Sequence, residues 1–108
     1  MKYLLMLHIE EGIEPDPEDT DPNPWVDEMT ARGVRTLGSR LRPASDSTSV
    51  RVRDGELSIT EGPFAESKEE MAGFDLLECA DLDEAIEVAS KHPAAKFGTL
   101  ELRPLWED

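Results

Sequence analysis

The stretch SVRVRDGELSIT, residues 49–60, constrains the fold more than any other part of the chain. Two runs of alternating apolar and polar residues flank Asp54-Gly55. Both central residues tolerate the positive φ that a two-residue type I′ turn demands, so the stretch reads as a β-hairpin. Side chains alternate across a strand. Val50, Val52, Leu57 and Ile59 are therefore expected to form its buried side, with Arg51 and Arg53 on the other.

Regular elements flank this hairpin on both sides. Residues 2–9 (KYLLMLHI) are almost continuously apolar, which suits a strand covered on both faces. Residues 22–33 (PNPWVDEMTARG) predict a short helix, with Asn23 as cap, Pro24 at the first helical position and Gly33 at its end. Trp25, Val26 and Met29 fall on one face of it. A strand over 34–41 and a loop over 42–48 lead into the hairpin. After it come a strand around Gly73 to Cys79 and the strongest helix, 81–93, where Asp81 and Glu84 have capping-box spacing. A last strand, 97–106, turns Leu100 and Leu102 inward.

The order strand, helix, strand, hairpin, strand, helix, strand points to an α+β, ferredoxin-like fold: an antiparallel sheet with two helices on one face. The other face is left apolar. A second copy of the chain is the natural cover, so a homodimer is expected.

The length of 108 residues is that of one domain. With 25 acids against 11 bases, the net charge is −14. Such a surface repels phosphate backbones and anionic membranes, so no direct nucleic-acid or membrane partner is expected. Residues 10–21 (EEGIEPDPEDTD) hold seven acids and no base, which reads as a solvated loop. The spacing lacks the Gly and terminal Glu of an EF-hand, and no metal site is expected there. Cys79 is the only cysteine, which rules out an internal disulfide and fits a reducing compartment. The start, MKYLLMLHIEEG, lacks a small-residue cleavage site and reads as a strand rather than a signal. A cytoplasmic protein is expected. Phosphate loops and nucleotide fingerprints are missing, so no cofactor is expected.

Chemistry is concentrated in EGPFAESKEE, residues 61–70. Gly62 permits a tight turn and Pro63 fixes φ. Phe64 is expected to pack inward, leaving Glu61, Glu66, Ser67 and Lys68 at a cleft mouth. A carboxylate beside an ammonium suits proton transfer or a polar ligand. The plainer reading is a bulged approach to a central strand, with Lys68 paired to Glu69 or Glu70. His8 shares a strand face with Leu4 and Met6 and is either a general base or a satisfied core residue. Arg51 and Arg53 suit a ligand carboxylate, or pair with Glu56 or Glu101; Arg40 and Arg42 raise the same alternative. His92 is expected to place positive charge at a helix C-terminus. Trp25 and Trp106 read as core or interface anchors, and Cys79 as buried. In the catalytic reading, His8 is the base, Glu61 or Glu66 its partner, Arg51 or Arg53 the anion anchor, and Pro63, Phe64, Ser67 and Lys68 the lining.

The segment GPFAESKEEMAGFDLLECADLDEAIEVASKHP, followed by GTLELRPL, resembles the YCII-related proteins with the DGPF motif. MKYLLML and the hairpin fit as well, so the resemblance covers nearly the whole chain. It implies a ferredoxin-like subunit paired into a dimeric barrel-like assembly, with a cleft in each subunit. Some members of the wider group resemble small enzymes with a His/Asp pair whose His lies on the first helix. Residues 23–33 contain no His, so that mechanism does not carry over. Glu61 stands where Asp is usual, one methylene longer. The resemblance also implies a sigma-factor-related partner of the extracytoplasmic-function class. Two functions follow: a small-molecule-binding protein or cofactor-independent isomerase- or lyase-like enzyme, and a non-catalytic interaction module.

Overall fold

A computed structural model describes residues 1–64 and 68–107. Its strands are β1 (Lys2–Glu10), β2 (Arg35–Arg40), β3 (Thr48–Arg53), β4 (Glu56–Glu61), β5 (Glu69–Glu78) and β6 (Thr99–Pro104). Its α-helices are α1 (Asn23–Ala31) and α2 (Leu82–Ser90). Four strands form an antiparallel sheet in the order β2-β5-β1-β6, and β3 and β4 form a separate hairpin. The fold is α+β and ferredoxin-like, with the hairpin inserted between β2 and β5.

Local chemistry accounts for the boundaries. Asp54 and Gly55 have φ of 53° and 78°, as the hairpin turn requires. At α2, Asp81 accepts the backbone N–H of Glu84 at 2.9 Å, and the Glu84 carboxylate accepts the N–H of Ala80 at 2.9 Å. That reciprocal pair is a capping box. Helix α1 starts one residue earlier than expected: Pro22 is its cap residue, and Asn23 lies within the first turn. It ends in a Schellman motif, with Val34 N–H bonded to Met29 O, Gly33 N–H to Thr30 O, and Gly33 at φ 75°.

Both helices cover one face of the sheet. Tyr3, Leu5 and Leu77 from the strands meet Trp25 and Met29 of α1 and Ala85, Val88 and Ala89 of α2. The indole Nε1–H of Trp25 donates to Val88 O at 2.9 Å, tying one helix to the other. Outside the core, Arg32 forks onto Glu87 with bonds of 2.8 and 3.2 Å. Cys79 is buried, as expected, and burial pushes its thiol up.

Two packing expectations are corrected and a third is narrowed. Val50, Val52, Leu57 and Ile59 share one hairpin face, but they are 58–64% exposed, because no element among the described residues covers them. Phe64 is 78% exposed and does not pack inward. Of the two readings of Trp106, core or interface anchor, its 96% exposure removes the core one among the described residues. The molecule is a slab of 46 × 41 × 18 Å. Its radius of gyration of 15.9 Å exceeds the about 13 Å of a compact chain this long.

Trp25→Phe keeps most of the ring volume and removes the N–H. Urea unfolding is expected to show a loss of about 1 kcal/mol. An unchanged midpoint would mean that the bond to Val88 adds nothing to helix pairing.

Candidate functional site

A charged side chain is rarely buried in a strand unless it is paired. Asp75 sits in the middle of β5 with its carboxylate on the helix side of the sheet, opposite Leu5 of β1 and Gly38 of β2. It is only 6% exposed. Arg35, on the neighbouring β2, donates its Nε–H to Asp75 Oδ1 at 2.7 Å. Burial pushes the Asp75 carboxyl above its ordinary value, against the pull of the Arg35 bond. A Cβ at position 38 would stand 2.1 Å from Asp75 Oδ1, so only glycine leaves room for the pair.

A cavity of about 370 Å³ opens beside this pair. It lies between the sheet and the segments that precede α1 and follow α2. Arg35, Asp75, Arg40, Asp19 and His92 supply its polar lining, and Leu7, Ile9, Val26, Ala94 and Phe97 much of its apolar lining. The volume falls at the small end of the range for ligand sites.

His92 is held in place by its neighbours. Its Nδ1 accepts the N–H of Ala94 at 2.9 Å, capping the short 3-10 helix Pro93–Lys96. Its ring stands edge-on to Trp25, with centroids 4.6 Å apart. Burial pushes its pKa down to about 4. The expected positive cap of α2 is thus corrected: His92 is a neutral acceptor that caps the next turn. On the cavity's far side, Asp19 accepts from Lys96 Nζ at 3.0 Å.

The residues singled out in the sequence are distributed differently. His8 lies on the opposite, helix-free face. Its Nε2 is 3.0 Å from Glu101 Oε1, and Arg103 holds Glu101 Oε2 at 2.6 Å. That pairing with Glu101 is a partner the sequence alone did not suggest. Glu61 ends β4, exposed and opposite Thr48. Gly62, at φ 94°, makes the turn, and Pro63 and Phe64 are exposed after it. Glu66 and Ser67 lie outside the described residues. Lys68 accepts Glu11 N–H on its carbonyl and makes no ion pair with a described residue. Arg51 and Arg53 are exposed on the hairpin and likewise form no ion pair among the described residues. None of the described ones among them lines the cavity. Arg40 does line it, whereas Arg42 pairs with Asp46 at 3.1 Å.

For a cation, Asp16, Glu18 and Asp19 could each offer an oxygen within 4.8 Å of the others. Lys96 already neutralises Asp19 there. No helix among the described residues is long and apolar enough to cross a membrane.

A model of the YCII-related domain matches residues 1–107. The chain belongs to the YCII-related family. It is also similar to an uncharacterized protein of Rhizobium meliloti (strain 1021), at 41% identity over 97% of this chain and 92% of that protein.

Two outcomes follow from the geometry. Gly38→Ala is expected to break the Arg35–Asp75 contact and cost about 1–3 kcal/mol, read from urea unfolding. Wild-type stability would show the pair to be loose. For His92, the folded pKa of about 4 lies below the unfolded 6.5. The unfolded state therefore binds more protons in that window, and stability falls as pH drops from 6.5 towards 4. The raised Asp75 has the opposite sign, so the comparison is with His92→Gln, which should lack the His92 slope. Equal slopes would contradict the buried neutral ring.

Proposed function

We propose that this YCII-related protein binds a small molecule in the helix-side cavity and works as a homodimer. The observation that carries the first part is the buried Arg35–Asp75 pair at the cavity wall. A buried ion pair is a poor source of stability, because desolvation offsets its attraction. A perturbed carboxylate in a cleft is a recurrent mark of a functional site. The same geometry supports Asp75, rather than a residue of the exposed hairpin, as the group that would exchange a proton with a bound ligand.

The dimer reading is supported by the uncovered hairpin. Val50, Val52, Leu57 and Ile59 form one continuous apolar face on an arm that stands away from the sheet. Exposed patches of that kind mark interaction sites. The patch carries no charge, so a second copy can cover it without setting two net −14 chains acid against acid.

Methyl NMR with a panel of acidic, basic and neutral fragments tests the cavity. Binding should shift Leu7 and Val26, not Val50 or Ile59. Shifts confined to the His8 face or the hairpin would move the site elsewhere. Light scattering should give twice the chain mass for wild type, and the monomer mass for Val52→Asp/Leu57→Asp. A monomeric wild type would refute the dimer.

A further inference from the structure

We propose that the ligand is an organic carboxylate with an apolar body, bound through the Nη groups of Arg35 and the Nε2–H of His92. This deepens, and rests on, the reading of the cavity as the ligand site. Arg35 spends only its Nε–H on Asp75, and its two Nη groups have no partner among the described residues. An arginine fixed through Nε still presents the rest of its planar fork, which suits carboxylate oxygens. His92 leads to the same ligand independently. Its Nδ1 is an acceptor, so the neutral ring must carry its proton on Nε2. That N–H has no acceptor among the described residues, and because no buried polar side-chain atom among them lacks a partner, it is open to the cavity that His92 borders. A ligand oxygen entering the cavity would give it an acceptor.

The lining holds two cations, Arg35 and Arg40, and two carboxylates, Asp19 and Asp75. Both acids are already engaged, Asp75 by Arg35 and Asp19 by Lys96. Arg40 makes no ion pair with a described residue and stands at the rim. Arg40 is thus the lining cation left for a ligand anion. The apolar lining from Leu7, Val26 and Phe97 favours an acid with a hydrocarbon or ring body over a bare inorganic anion.

Calorimetry of the full chain tests this with four probes: 2-naphthoate, naphthalene-2-carboxamide, 2-naphthylmethylamine and inorganic phosphate. The carboxylate is expected to bind at least about tenfold more tightly than the other three. Arg35→Gln should weaken naphthoate at least about tenfold, and His92→Gln several-fold. Because Arg35→Gln strands Asp75, Arg35→Gln/Asp75→Asn serves as a second, neutral pair and should show the same loss. If the amide or amine matches the carboxylate, the ligand class is wrong while the cavity reading stands. If phosphate matches it, the apolar body is wrong. If naphthoate does not bind, or binds equally to the Arg35 variants, the proposal is overturned. Failure of the cavity itself would appear separately, as fragment shifts elsewhere on the molecule.

Discussion

The contact between Arg35 and Asp75 fixes what the rest of the structure must provide. A carboxylate removed from water is tolerated only with a partner. That partner sits on a different strand, so the register between β2 and β5 has to place Arg35 one turn of the pleat from Asp75. Gly38 must lie opposite, since any side chain there would occupy the carboxylate's space. The helices must then stop short of the pair, leaving the cavity between them and the sheet.

The two faces of the sheet divide the work. The helix side holds the core, closed by Trp25 and Val88, and at its end the cavity. The helix-free side carries Leu4, Met6, Phe74 and Leu76 across paired strands, beside the chain His8–Glu101–Arg103. His8, Glu101 and Arg103 thus form a polar strip on a sheet face that is elsewhere largely apolar, with the His8 ring nitrogen already engaged. The hairpin adds a second apolar surface at the periphery. A thin slab with two apolar surfaces has most to gain from self-association.

Much of the fold is legible in the sequence. Asp54-Gly55 specified the turn, Asp81 and Glu84 the start of α2, and the sequential order of elements the ferredoxin-like sheet. Strand alternation also found the apolar hairpin face, but alternation reports a shared side, not what covers it. The cavity was not legible. Arg35 and Asp75 are 40 positions apart, and only register brings them together. One signal existed: an Asp within the apolar run GFDLLEC, and a Gly within VRTLGSR to receive it. His92 misled for a related reason. In sequence it ends α2, but in three dimensions its ring turns back under Trp25 and caps the next segment.

Under the proposed function, the cavity beside Arg35 and Asp75, and not the His8 face or the hairpin, is where this protein meets its ligand. A crystal structure grown with 2-naphthoate tests it most directly. The ring system is expected between Leu7, Val26 and Phe97, with the carboxylate on Arg35 and His92. A ligand seated beside His8 and Glu101, or on the hairpin with the cavity empty, would contradict it.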